Sequence, residues 1–130
     1  MANVSQNEVM ELEKMLRERE RALRTEIREN LLRSEHEHHK DLAGMVSDIG
    51  DESVADMLTD IEIAAVGRDV GELREVESAL VRVRERTYGV CVDCNEPIGH
   101  ARLKAQPAAA RCLSCQAQQE RASGRHTTSL

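Results

Sequence analysis

Two Cys-x-x-Cys pairs constrain this chain more than any other feature. Cys91-Val92-Asp93-Cys94 and Cys112-Leu113-Ser114-Cys115 are separated by seventeen residues, and no other cysteine is present. Each tight turn lets two thiolates approach one ion. Two such turns complete a tetrahedral four-sulfur shell, the donor set that zinc prefers. A shell of four protein ligands leaves no position for water, so the spacing predicts one structural zinc per chain. The competing readings are a redox-active CxxC and a pair of disulfides. The start MANVSQNEVMELEK has no apolar signal region, which favours metal over disulfides. Residues 91–115 contain no aromatic side chain, so metal binding is expected to supply the folding free energy of this unit.

The rest of the composition narrows the function classes. The whole chain holds one Tyr and neither Phe nor Trp. Large aromatics usually dominate a compact core, so a deep substrate pocket and an enzymatic role are not expected. No apolar run approaches the ~20 residues that span a bilayer, and the chain reads as soluble and cytoplasmic. Of 18 basic and 24 acidic side chains, residues 91–130 hold five and three, leaving 13 and 21 in the first ninety. An acidic body with a mildly basic end is poorly suited to gripping phosphates, so direct sequence-specific DNA binding is not expected.

Helical periodicity organises the first 88 residues. Leu12, Leu16, Leu23, Ile27 and Leu31 recur at steps of four and seven within a stretch from about Val4 to Val46. A second stretch, roughly Val54 to Thr87, carries Leu73, Val76, Leu80 and Val83 at heptad-like spacing. Gly67 and Gly71 weaken its middle. Between the stretches, Ser47, Asp48, Gly50 and Asp51 are turn and cap formers. The expected fold is mostly α: a long antiparallel helical hairpin over residues 1–88 with its tip at about 47–53. A zinc finger with a closing helix follows over 89–121, then a disordered tail at 122–130. An intramolecular hairpin of this kind is expected to be monomeric.

The stretch Tyr88-Gly89-Val90-Cys91-Val92-Asp93-Cys94-Asn95-Glu96-Pro97-Ile98-Gly99, followed by Arg102-Leu103-Lys104-Ala105-Gln106-Pro107-Ala108 and Cys112-Leu113-Ser114-Cys115-Gln116, resembles the zinc finger of the DksA/TraR family. Asn95 stands where Gly is usual. The resemblance extends backwards through both helices, over roughly residues 10–121. It implies a hairpin that enters the secondary channel of bacterial RNA polymerase, with an Asp-x-x-Asp-x-Ala tip modulating open-complex stability. Here Asp48-Ile49-Gly50-Asp51-Glu52-Ser53 matches both acids and puts Ser at the Ala position. Some family members also bind guanosine tetraphosphate through basic residues. Arg68 matches one such position, but Glu75, Gln106 and Gln116 occupy the others, so the alarmone response is expected to be weak or absent. Arg102 and Lys104, with Arg68, are candidate partner contacts.

Other features have plainer readings. His36-Glu37-His38-His39 lacks the second His that a metalloprotease helix needs four residues after His36, where Lys40 stands, and it reads as a solvated helix face. The scattered Met1, Met10, Met15, Met45 and Met57 read as gap fillers in the seam. Two other functions fit parts of the sequence. One is a DNA-binding zinc finger of GATA-like cysteine spacing, although the tail after Cys115 offers only Arg121 and Arg125 as basic residues. The other is a structural coiled coil that oligomerises through its seam.

Overall fold

A computed structural model describes residues 4–34, 36–46, 52–61 and 63–122. Six helices follow one another among them: α1 (Gln6–Leu32), α2 (Glu37–Ala43), α3 (Glu52–Asp60), α4 (Ala64–Glu85), α5 (His100–Ala105) and α6 (Leu113–Ala122). Among the described residues the only β pairing is an isolated antiparallel bridge, Val90 to Pro97. Among the described residues no helix is long and apolar enough to cross a membrane. The chain divides into two compact units, one of Met15–Ser78 and the other of Met1–Lys14 with Ala79–Leu130.

In the first unit α1 and α4 run antiparallel. Glu20 bonds to Glu77 and Glu26 bonds to Asp69, so residue numbers rise on one helix as they fall on the other. The seam is aliphatic: Leu16, Leu23, Ile27 and Leu31 of α1 and Val66, Val70, Leu73 and Val76 of α4 are all at most 2% exposed. Burial of each such side chain stabilises the fold by about 1.5–3 kcal/mol. Flanking the seam, Arg19 donates to Glu72 through Nε and Nη2, at 2.6 and 2.7 Å, in a bidentate fork. Both partners are more than 40% exposed, so the pair contributes about 1 kcal/mol at most. Arg24 donates to Glu77 Oε1 and to the Val46 carbonyl, both at 2.7 Å, tying the end of the α2 segment to α1.

The long helical stretches that the periodicity predicts are each interrupted. The first stops after Leu32, although no Pro or Gly lies nearby. Ser34 is the local cause: its hydroxyl accepts the His36 N–H at 3.2 Å and lies 2.7 Å from His39 Nδ1. A serine that bonds neighbouring backbone offers the chain an alternative to the helical ladder. The second stretch divides between α3, which ends at Asp60, and α4, which starts at Ala64, where the Ile63 carbonyl accepts the Gly67 N–H. Gly67 and Gly71 nevertheless stay inside α4. Three of the methionines do not fill the seam as expected, while Met45 is half-buried and Met1 lies outside the described residues. Met10, Met15 and Met57 are 59%, 37% and 41% exposed, because a narrow seam is already filled by Leu, Ile and Val.

The second unit begins with a reciprocal cap. Ser5 N–H donates to Glu8 Oε1 at 2.8 Å, and Glu8 N–H donates to Ser5 Oγ at 3.2 Å. Val4 and Val9, which flank this capping box at the positions of a hydrophobic staple, are both buried. At its other end α4 closes with Arg86 N–H on the Val83 carbonyl and Thr87 N–H on the Arg82 carbonyl, a Schellman pattern. The residue that must turn left-handed there is Arg86, with φ of 64°.

Two stability outcomes follow from these placements. Arg86→Gly removes the Cβ penalty of the left-handed turn and should stabilise the chain by about 1 kcal/mol, read as a shift in denaturant midpoint. Asp69 is pushed above its usual carboxylate range by burial, then by the hydrogen bond and charge of Glu26 and the charge of Glu72, against the partial relief of Arg19. A raised folded value means that its stabilisation is full below the ordinary value and is lost as pH rises through the folded one. Asp69→Asn should therefore stabilise the protein at pH 7 by about 0.3–0.5 kcal/mol, the size of a like-charge pair, with the gain gone by pH 3.5. A loss of stability at pH 7 would contradict this account.

Candidate metal centre

The cysteine-bearing segment folds by short backbone rules. Tyr88, the one aromatic residue, is fully buried and donates its hydroxyl to the Pro107 carbonyl at 2.7 Å. Burial pushes its phenol up to about 12, so it remains a neutral donor. Gly89 follows with φ of 91°, and a Cβ there would lie 3.2 Å from Val4 Cγ2. Both the conformation and the space demand glycine. Ile98 N–H then donates to the Gly89 carbonyl at 2.9 Å, and Cys91 N–H donates to the Glu96 carbonyl at 2.8 Å. The first knuckle is closed by Asn95 N–H on the Cys91 carbonyl at 3.0 Å, with Asn95 at φ of 64°. Asn tolerates this left-handed turn better than any side chain except hydrogen, which explains why it can stand where the family pattern has Gly.

The second knuckle lies at the start of α6. Gln116 N–H donates to the Cys112 carbonyl at 2.9 Å, placing Cys115 in the first turn of the helix. Val92 N–H donates to the Ala110 carbonyl at 2.9 Å and so brings the two knuckles together. Arg111 Nε reinforces them with a 2.7 Å bond to Asp93 Oδ2, and Arg102 Nε donates to the Arg111 carbonyl at 2.9 Å.

These bonds gather four sulfurs. Cys91, Cys94, Cys112 and Cys115 place their Sγ atoms within 4.8 Å of one another, and Cys94 and Cys112 stand 3.9 Å apart. A tetrahedral zinc with bonds of about 2.3 Å separates its sulfurs by about 3.8 Å, so the donor set fits that ion. The acid–base balance agrees. Burial pushes the Cys91 thiol up, but the backbone N–H groups of Cys112, Cys94 and Asp93 and the Cys94 side chain outweigh it and bring it down to about 6. Cys115 is pushed up by its hydrogen bonds to Cys112 and Cys94. Cys94 is also raised, against the backbone N–H of Glu96. One thiolate forms readily and its neighbours resist, because four negative sulfurs this close need a cation among them. With all four positions held by protein, the ion is structural.

The remaining candidate residues are dispersed. Arg68 is exposed on α4, and Lys104 is exposed on α5, whereas Arg102 is half-buried and bonded to Arg111. Asp48 and Asp51 lie outside the described residues. Ser53 falls in the first turn of α3, with its side chain outside the described set. The capping box of Ser5 and Glu8 escaped the periodicity, although the Ser-x-x-Glu spacing is its sequence signature. Glu8 also faces His100 at 3.4 Å.

Comparison with known proteins extends beyond the finger. A family profile for the prokaryotic dksA/traR C4-type zinc finger matches residues 86–121. The chain is 35% identical over 111 residues to the RNA polymerase-binding transcription factor DksA of Caulobacter vibrioides, covering 84% of this chain and 72% of that one. The solution structure of the DnaK suppressor protein from Agrobacterium tumefaciens superposes with a TM-score of 0.58 at 28% identity, over 91% of this chain and 99% of that one. Transcription factor DksA2 from Pseudomonas aeruginosa, at 22% identity, shares the fold with a TM-score of 0.58 over 92% of this chain and 88% of that one.

Removal of the zinc should unfold the finger before the helices of the other unit. Protein purified under reducing conditions should carry one zinc per chain. A strong chelator, or Cys112→Ser, should abolish amide protection across residues 88–115 while most helical ellipticity survives. A metal-free protein with an ordered finger would refute the assignment.

Proposed function

This chain belongs to the DksA/TraR family of C4 zinc-finger proteins, and we propose that it is a cytoplasmic transcription regulator that binds RNA polymerase rather than DNA. The observation that carries this reading is the length of the similarity. A match over 111 residues cannot be confined to the finger, and it takes in the antiparallel α1 and α4 as well. A finger borrowed for DNA recognition would not need those helices. Their antiparallel course supports a mode of action in which the segment between them is presented to the secondary channel.

In this proposal the segment carrying Asp48, Asp51 and Ser53 enters the channel. Its two carboxylates alter the field near the catalytic magnesium and the moving parts of the polymerase, and so shift the lifetime of open complexes. No covalent bond is made or broken by this chain, so it is not an enzyme. Exposed Arg68 and Lys104, together with Arg102, supply contacts to the polymerase. The alarmone adds little, since Glu75 and Gln106 are acidic or neutral and the Gln116 side chain is bonded to Glu120 at 3.0 Å. The regulator works as a monomer.

Asp51→Asn decides the matter, because it removes one charge with little change in size or turn-forming ability. Stability should change by less than about 1 kcal/mol, and affinity for purified polymerase only modestly. Its effect on open-complex lifetime at a sensitive promoter should be lost, since one charge has a large influence in a low-dielectric channel. If the variant binds polymerase and regulates as the parent does, the acidic tip is only a turn. A gel shift with bare promoter DNA at physiological salt would redirect the reading to DNA.

A further inference from the structure

The Arg24 bond to the Val46 carbonyl sets the course of the chain after α1. The two residues are 22 positions apart. Along one continuous helix they would stand about 33 Å from each other, at 1.5 Å per residue. A 2.7 Å bond between them means that α2 turns back beside α1, and Val46 ends level with Arg24, well short of the end of α1 at Leu32. The other arm does the same. Arg74 Nη1 lies 3.8 Å from Asp56 Oδ1, whereas residues 56 and 74 of one continuous helix would be about 27 Å apart. α3 thus returns beside α4. Leu42, Ala43, Val46, Val54 and Leu58 are at most 7% exposed, so the returned helices are seated on apolar surface. All these residues belong to the unit Met15–Ser78.

The same sequence carries a second packing. No proline lies in either helical stretch, since the two prolines are Pro97 and Pro107. α2 and α3 have seven and nine residues and are too short to persist without support. Once released, α2 can continue α1, because the break is made by the Ser34 hydroxyl and not by a missing backbone donor. The register of Glu20 with Glu77 and Glu26 with Asp69, continued outward, brings Leu42 level with Val54 and extends the seam. It also brings His38 level with Leu58, a poor partner for an apolar side chain. The folded-back form buries Leu58 completely and is the resting one for that reason. Arg24 latches it, held at once by the Val46 carbonyl, by Glu77 at 2.7 Å and by Glu20 at 3.6 Å. The exposed Arg74–Asp56 pair adds less.

We propose that the chain rests with α2 and α3 folded back and latched by Arg24, and that it engages RNA polymerase by straightening each arm into one continuous helix. Straightening carries Val46 from beside Arg24 to about 21 Å beyond Leu32, the projection that entry into a channel requires. It also replaces four helices side by side with two, each about 10–12 Å across. A partner that takes only the opened form meets a fraction of the molecules, and its apparent affinity falls by that fraction. With the folded-back form in excess by about ten to one, the loss is about tenfold. Arg24 is thus a positioning residue that restrains the segment carrying Asp48 and Asp51. What the opened form engages rests on the polymerase reading, whereas the latch does not.

The test places nitroxides at Arg21 and Gly44, both exposed, through noncanonical keto side chains that leave the four cysteines to zinc. Dipolar spectroscopy on the full zinc-loaded chain should give a main separation below about 25 Å, against about 35 Å along one helix. Arg24→Gln and Leu58→Gln should each move most of the population to the longer distance. Helical ellipticity should rise as turns form at the two breaks, whereas simple melting of α2 or α3 would lower it. Arg24→Lys, which still donates to the Val46 carbonyl, should stay short. Purified polymerase should lengthen the distance in the parent, and both glutamine variants should bind polymerase at least threefold more tightly than the parent. A long distance in the unbound parent, a short one in both glutamine variants, a long one with reduced ellipticity, or a short one in the polymerase complex would overturn the proposal. Failure of every form, opened variants included, to bind polymerase would instead overturn the polymerase reading, since the unbound distances are measured without it.

Discussion

Four sulfurs within 4.8 Å impose the condition on which the finger unit depends. Their negative charges exclude one another unless a cation sits among them, so folding of residues 91–115 and capture of zinc are a single event. What surrounds the cluster serves this condition. The peptide N–H groups aimed at Cys91 lower the cost of the first thiolate, and the Arg111–Asp93 pair braces the approach of one knuckle to the other. Tyr88 supplies the only large aromatic surface, and its bond to Pro107 ties the start of the finger to the turn before the second knuckle. Metal therefore replaces an apolar core that a segment of this composition could not build.

The helical unit solves the same shortage in a different way. Without aromatics its seam is a line of aliphatic side chains, which can be filled but not widened. Beside that line lie crowded acids. Asp69 with Glu26 and Glu77 with Glu20 are carboxyl pairs facing across α1 and α4, and burial together with these neighbours raises both Asp69 and Glu77. Arg19 and Arg24 each reach across to an acid on α4, which offsets part of the repulsion. The acids beside the seam are thus held against a few well-aimed guanidinium groups, whereas acids such as Glu11, Glu18, Glu29 and Glu75 are exposed.

How much of this could be read from the sequence depended on the range of the physics involved. The seam was legible because burial repeats at helical spacing: Leu12, Leu16, Leu23, Ile27 and Leu31 are all at most 1% exposed. The zinc site was legible because ligand spacing encodes its geometry. The break at Ser34 was not, since it arises from one hydroxyl choosing its backbone partner over the helix, with no Pro or Gly to announce it. The exposure of Met10, Met15 and Met57 is not legible, because composition does not reveal that the seam is already full. Asp48 and Asp51 were found by a motif and a turn signal together, and their role rests on those two signals.

The positive-φ residues show why a family pattern can be broken at one glycine and not at another. A glycine can be required by conformation, by space, or by both. Gly89 is bound by both, since its φ is 91° and a Cβ would press on Val4 at 3.2 Å. Asn95 shares the left-handed conformation but is exposed, so only the conformation is at issue, and a short polar side chain satisfies it. Arg86 is exposed and left-handed too, yet its side chain has no such local aptitude, so the end of α4 is held in its turn by the two Schellman bonds and not by the residue itself. Departure from glycine is therefore tolerable where solvent lies beside the turn, and intolerable at Gly89, where the start of α1 packs against the entrance to the finger.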